Sequence, residues 1–169
     1  MDSNAINIHL TLVPYLSAAG ELKTKPTQNS VKKLRELGLQ PDILVCRTEH
    51  HLGSEIKRKI AQFCNVERDA VIESLDAESI YHVPLLMQSE MLDKVALRKL
   101  GLKDETSVSL HFWNDFLSRL KNPTSEVKIA VVGKYVELQD AYKSIAEAFI
   151  HSGAANNCKV KISWIQSEE

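Results

Sequence analysis

Short apolar segments alternate with amphipathic helical segments along the first half of the chain. The segment "DILVC", residues 42–46, is almost entirely apolar, which is typical of a strand buried on both faces of a parallel sheet. Further strands are predicted over residues 6–15 and 70–74, and apolar residues recur at helical spacing over residues 26–37 and 54–65. Gly38 suits the position that follows the end of the first of these helices. Strands that alternate with helices in this way predict a parallel sheet wrapped by helices.

The second half of the chain changes in character. From residue 78 to about residue 121 the periodicity is mostly helical, and "NPTSE", residues 122–126, has the composition of a linker. A strand, "VKIAVVGKY", and a helix, "DAYKSIAEAFIHSG", follow, with Asp140 as the predicted N-cap and Gly153 as the predicted stop, and "KVKISWIQ" is a last strand. Because one β-α-β unit buries too little surface to stand alone, we expect the second domain to be truncated in this sequence.

Charge and composition exclude several classes of protein. The 169 residues carry a formal net charge of −1, which gives no bulk attraction to nucleic acid or to an anionic membrane. No apolar run approaches the length of a membrane span, and the first residues do not have the pattern of a signal peptide. The three cysteines are isolated from one another, so neither a disulfide framework nor a zinc site is indicated. These features predict a cytoplasmic protein.

The stretch "ELKTKPTQNS" places two lysines, Lys23 and Lys25, just ahead of a predicted helix. Pro26 suits the first helical position, and the backbone amides of Thr27 and Gln28 would then point outwards at the positive end of the helix dipole. Together these groups would suit a phosphate-rich anion. A solvated loop that caps a surface helix accounts for the same residues, and no GxxxxGK[ST] loop occurs in the sequence.

Four other polar residues are weaker candidates for a site. Arg47 follows the "DILVC" strand, and ligands of open parallel sheets bind beyond the carboxyl ends of strands, although an arginine at a strand end often only forms a surface ion pair. Asp76 is placed to cap a helix. His50 and His51 are weak as a metal pair, because adjacent residues rarely face one ion.

Four blocks of sequence resemble CTP synthase, in that family's order and over nearly the whole chain. They are "HLTLVPYLSAAGELKTKPTQNSVKKLRELGLQPDILVCR", "KIAQFCNV", "SIYHVPLL" and "VKIAVVGKYVELQDAYKSIAEAF". The resemblance implies an enzyme that phosphorylates UTP with ATP and replaces that phosphate with ammonia from glutamine. It implies a P-loop NTPase-like amidoligase domain, whose C-terminal part is residues 1–121. Residues 122–126 would be the linker, and residues 127–169 a truncated start of a flavodoxin-like class I glutamine amidotransferase domain.

The resemblance also implies the role of particular residues. The residues that match the family's UTP and feedback-CTP site are Lys23, Thr24, Lys25, Pro26, Thr27, Gln28 and Lys59. Asp76 and Ala77 match the ATP-binding segment, although Leu75 departs from the polar or basic residue often found there. Lys134 and Lys143 match lysines near the interdomain surface and its GTP-linked control.

Both catalytic centres of the family would lie outside this sequence. The phosphate loop and the magnesium ligands would precede it, and the GxCLGxQ nucleophile motif does not occur in it. The resemblance therefore assigns no catalytic residue and no metal ligand to the chain, although the full-length enzyme uses ATP and Mg²⁺. It implies a homotetramer whose subunits meet at the pyrimidine site. A non-catalytic module that binds UTP or CTP, or that assembles the tetramer, is the alternative.

Overall fold

In the computed structural model, which describes residues 4–104 and 108–168, the contacts divide the chain into two units, Met1–Ser107 and Val108–Glu169. The strands of the first unit are β1 (Ile8–Leu12), β2 (Tyr15–Leu16), β3 (Glu21–Leu22), β4 (Ile43–Thr48) and β5 (Val71–Leu75). Its helices are α1 (Lys25–Glu36), α2 (Ser54–Cys64), α3 (Val83–Ser89) and α4 (Leu92–Lys99), with 3-10 turns at Arg68–Ala70 and Ile80–His82.

A parallel sheet in the order β1-β4-β5 forms the centre of the first unit. The apolar segment predicted as a buried strand is β4, and its first four residues are buried. Successive side chains of a strand point to opposite faces, so Leu44 and Cys46 pack in one core and Ile43 and Val45 in another. The first core includes residues of α1 and α2, and the second includes Val95 of α4. This arrangement confirms the predicted parallel sheet with helices on its faces.

Helix α1 ends where the sequence predicts. Gly38 has a φ of +80°, a conformation that glycine adopts without steric cost. Its amide donates to the carbonyl of Arg35, and the amide of Leu39 donates to the carbonyl of Leu34. This is the double hydrogen bond of a Schellman ending, and it turns the chain towards β4.

A side chain closes the outer edge of β5. The carboxylate of Glu90, which follows α3, accepts a hydrogen bond of 2.8 Å from the backbone amide of Glu73 in β5. The same Oε2 atom lies 2.5 Å from Nζ of Lys57 in α2. Glu90 therefore links the sheet edge, α2 and the end of α3.

The second unit contains a β-α-β unit preceded by a helix. Its elements are α5 (His111–Lys121), β6 (Ser125–Gly133), a 3-10 turn at Gln139–Tyr142, α6 (Lys143–Ala155) and β7 (Cys158–Gln166). Strands β6 and β7 are parallel, and Val127 lies opposite Val160. The assignment of residues 1–121, 122–126 and 127–169 to domains and linker stays a prediction.

Two predicted helix boundaries in the second unit are wrong. Asp140 is not the N-cap of α6, because it lies within the 3-10 turn that precedes Lys143. Gly153 does not end α6, which continues to Ala155. A Cβ atom at position 153 would lie 2.7 Å from the carbonyl oxygen of Cys158. Gly153 therefore allows the close approach of α6 to β7 and does not terminate the helix.

Candidate functional site

The segment "KTKPTQ" forms the start of α1. Lys25 is the first helical residue and Pro26 the second, so the prediction that Pro26 comes first was wrong by one position. The prediction that the backbone amide of Gln28 points outwards was also wrong, because this amide donates to the carbonyl of Thr24 at 3.1 Å. The side-chain amide of Gln28 donates to Oγ1 of Thr24 at 3.0 Å. Lys25 and Thr27 lie in the first turn, and the helix itself provides no carbonyl partner for their backbone amides.

The side chain of Thr27 is fully buried and fastens α1 to β1. Its hydroxyl donates to the backbone carbonyl of Leu12 at 2.9 Å and accepts a hydrogen bond of 3.2 Å from the hydroxyl of Thr11. A ligand contact by Thr27 would therefore use its backbone amide. The role assigned to Thr27 by resemblance stays a prediction.

A depression of about 530 Å³ lies beside the start of α1. Its lining residues are Tyr15, Gly20, Glu21, Leu22, Thr24, His50, Ile56 and Lys59. It brings Thr24, at the N-cap of α1, onto the same surface as Lys59 of α2, although the two are far apart in sequence. Lys25 is exposed at the first position of α1.

The depression beside the start of α1 carries charges of both signs. Nζ of Lys23 contacts the carboxylate of Glu21. The hydrogen bond and positive charge of Lys23 lower the pKa of Glu21, and the charge of Lys59 adds a weaker effect in the same direction. Glu21 is thus an ionised carboxylate at neutral pH, and it faces two of the lysines that the resemblance assigns to a nucleotide.

An aromatic pair forms another side of the depression. The rings of Tyr15 and His50 lie with their centroids 4.1 Å apart and their planes tilted by 57°. Tyr15 is held by the two-residue pairing of β2 with β3, where it lies opposite Leu22. No motif marked Tyr15 or Glu21 as site residues, and His50 was considered only as half of a weak metal pair. For Glu21 the sequence did carry a signal, because residues 21 and 23 of an extended segment point to the same side.

The predicted ATP-binding residues lie at the carboxyl ends of β4 and β5. Asp76 and Ala77 line a second depression, of about 580 Å³, together with Arg47 and the half-buried Leu75. Nη2 of Arg47 lies 3.0 Å from Oδ1 of Asp76. The prediction of Asp76 as a helix cap was wrong, because the next helical turn begins at Ile80. The amide of Asp76 instead donates to the carbonyl of Thr48, which continues the pairing of the two strands.

Lys134 and Lys143 both belong to the second unit. Lys134 follows β6, and its Nζ lies 2.8 Å from Oε1 of Glu168. The hydroxyl of Tyr142 donates to the carbonyl of Lys134 at 2.7 Å. Lys143 is the first residue of α6 and is exposed. The GTP-linked role of both lysines stays a prediction.

The adjacent histidines turn to different partners. His50 packs against Tyr15, whereas Nδ1 of His51 lies 2.8 Å from Oε1 of Glu73. The carboxylate of Glu73 is buried, and it also accepts a hydrogen bond from the amide of Leu52. In the part of the chain that the structure describes, no three His, Cys, Asp or Glu side chains are grouped to hold a metal ion. Within residues 4–104 and 108–168, no helix has the length and apolar character needed to span a membrane.

Comparison with known proteins identifies the family. The sequence profile described as "CTP synthase N-terminus" matches residues 1–102. The chain is 64% identical over 167 residues to the CTP synthase of Cytophaga hutchinsonii and 62% identical over 167 residues to that of Christiangramia forsetii. It is 55% identical over 165 residues to the CTP synthase of Methanocaldococcus jannaschii. These matches cover 98–99% of this chain but only 30–31% of each relative. The chain thus spans about a third of the length of these curated relatives, and it belongs to the CTP synthase family.

Proposed function

We propose that this chain forms part of an enzyme that converts UTP to CTP with ATP and with ammonia derived from glutamine. Family membership supports this proposal, and so do curated relatives named CTP synthase that match almost the whole chain. In this proposal residues 1–121 are the C-terminal part of the amidoligase domain and residues 122–126 the linker. Residues 127–169 are the start of the glutamine amidotransferase domain. The parent enzyme would be a cytoplasmic homotetramer.

The depression beside the start of α1 is the proposed binding site for UTP and for CTP, and we call it the pyrimidine depression. The observation that carries this proposal is the convergence of Thr24 and Lys59 on one depression, with Lys23 next to it. Lys23, Lys25 and Lys59 supply the mobile positive charges that a triphosphate requires, and the first turn of α1 supplies backbone amides. Pro26 sets the backbone of that turn, and Gln28 holds Thr24 through its side chain.

The depression beside Asp76 is the proposed site for ATP. Asp76 and Ala77 follow β5 at the carboxyl edge of a parallel sheet, which is where such sheets bind nucleotides. Arg47 fixes the carboxylate of Asp76 through their ion pair. Mg²⁺ would neutralise phosphate charge when bound with ATP. In this proposal the metal ligands lie outside the chain, so we assign no residue of this chain to Mg²⁺.

Two measurements on the purified chain test these proposals. Calorimetric titration should show that UTP and CTP bind, and that uridine binds far more weakly because it lacks the phosphates. Affinity for GTP equal to that for UTP would contradict a pyrimidine site. Supplied with UTP, ATP, Mg²⁺ and ammonium, the chain should form no CTP, because we propose that both catalytic centres lie outside it. Steady CTP formation would contradict that part of the proposal.

A further inference from the structure

Glu21 introduces a negative charge into a site proposed for a polyanion. Its side chain lines the pyrimidine depression together with Thr24 and Lys59. Its carboxylate contacts Nζ of Lys23, which is one of the lysines proposed to bind phosphate. Like charges repel at these distances, so a phosphate group placed near Lys23 and Lys59 would also approach Glu21.

The backbone fixes the position of Glu21. Leu16 lies opposite Glu21 in the β2–β3 pairing, and the amide of Gly20 donates to the carbonyl of Leu16 at 2.8 Å. The amide of Lys23 donates to the carbonyl of Pro14 at 2.9 Å. Glu21 and Lys23 therefore stay on the same side of a hydrogen-bonded hairpin. Both side chains keep solvent access, with exposed fractions of 57% and 38%, so the ion pair can open without disturbing the core.

We propose that Glu21 competes with the nucleotide phosphates for Lys23 and thereby weakens the binding of UTP and CTP. In the structure Lys23 is held by Glu21, and phosphate binding requires Lys23 to exchange one anionic partner for another. This inference rests on the proposed function, because it assumes that the phosphates lie in the pyrimidine depression. The lowered pKa of Glu21, caused chiefly by Lys23 and to a smaller extent by Lys59, is consistent with it.

The size of the effect follows from exposed ion pairs. Exposed ion pairs contribute little free energy. Removing the pair between Glu21 and Lys23 should therefore tighten UTP binding by only about two- to fivefold at low ionic strength. The gain should shrink at about 0.5 M salt, where charges on the surface are screened within a few ångströms. It should also be smaller for UMP than for UTP, since UMP has fewer phosphate groups to compete for the lysine.

The test is calorimetric titration of UTP into the 169-residue chain and into its Glu21→Gln variant. Glu36→Gln is a matched control, because Glu36 is also an exposed carboxylate paired with a lysine, Lys33, at 3.2 Å. It removes the same charge from the other end of α1. We expect tighter binding for Glu21→Gln and no change for Glu36→Gln. In a Lys23→Ala background, Glu21→Gln should give a smaller gain.

The outcomes separate this inference from the proposed function. If the wild-type chain binds UTP and Glu21→Gln binds it equally or more weakly, the competition is disproved and the site stands. A weaker affinity would instead show that the carboxylate contacts the nucleotide directly. If Glu21→Gln and Glu36→Gln raise the affinity for UTP equally, the cause is the net charge of the chain and not competition for Lys23, and the inference is overturned. If neither the wild-type chain nor any variant binds UTP, the proposed site and the inference fail together.

Discussion

The hydroxyl of Thr27 donates a hydrogen bond of 2.9 Å to the backbone carbonyl of Leu12, and this bond fastens the first turn of α1 to the end of β1. The site proposed for the triphosphate is therefore built on a buried polar contact and not on a free loop. Lys25 lies in this first turn, whereas Lys23 is held by the hydrogen bond from its amide to the carbonyl of Pro14.

Replacing Thr27 with valine should destabilise the first unit by about 1–3 kcal/mol. Valine has nearly the same shape, but it leaves the carbonyl of Leu12 and the hydroxyl of Thr11 without their partner in a buried place. Thr27→Ser retains the hydroxyl and serves as the control, with a loss of about 1 kcal/mol for the missing methyl group. Urea denaturation gives both values. A valine variant as stable as the wild type would show that the contact has no energetic role.

Lys25→Ala should weaken UTP binding by about tenfold or more at low salt, because a charge-assisted contact with phosphate is lost. Lys33→Ala is the control, since Lys33 lies further along α1, pairs with Glu36 and has a side chain 81% exposed. The loss at Lys25 should be smaller for UMP. Equal UTP affinities for the wild type and both variants, measured by calorimetry, would favour the alternative of a solvated loop that only caps the helix.

One cysteine of three should react with a thiol reagent in the folded chain. Cys46 and Cys64 are buried, and burial raises the pKa of Cys46 to about 12 and that of Cys64 to about 11. A raised pKa keeps a thiol neutral, and the neutral thiol is unreactive, so both should stay protected at pH 8. Cys158 is partly exposed and should react. A colourimetric disulfide reagent should count one thiol per chain before denaturation and three afterwards. Rapid reaction of two or three thiols in the folded chain would contradict this assignment.

Gly153→Ala should destabilise the second unit, although alanine normally stabilises the interior of a helix by about 1 kcal/mol relative to glycine. The new methyl group would lie 2.7 Å from the carbonyl oxygen of Cys158, and that oxygen belongs to the backbone of β7. Relief of the clash must move α6 away from β7, at a cost of about 1–3 kcal/mol. The sign of the change in unfolding free energy is the test. A stabilised variant would mean that α6 and β7 separate easily.

Local patterns predicted the parts of the fold that depend on neighbouring residues. The apolar run at β4 and the glycine that ends α1 were both found in the expected place. The β2–β3 hairpin was missed, because strands of two residues are too short to show alternation. Asp140 has the chemistry of an N-cap, but the 3-10 turn around it depends on packing that a local pattern does not report.

The residues of the proposed site also differ in whether the sequence alone could predict them. Lys23 and Lys25 could be picked out beside a helix start, because the segment that holds them is continuous. Nothing near Lys59 links it to them except family resemblance, since α2 reaches the pyrimidine depression only through tertiary packing. The aromatic pair of Tyr15 and His50 depends equally on a contact between distant segments.

The carboxylate of Glu90 has a consequence for misassembly. A strand at the edge of a sheet can recruit another chain through its unpaired backbone groups, which is a common first step of aggregation. Glu90 occupies the amide of Glu73 on the outer edge of β5, and Lys57 balances its charge. A foreign strand that pairs along β5 would therefore first have to displace this carboxylate from the amide of Glu73. One side chain thus makes that edge of the sheet a poorer template for aggregation.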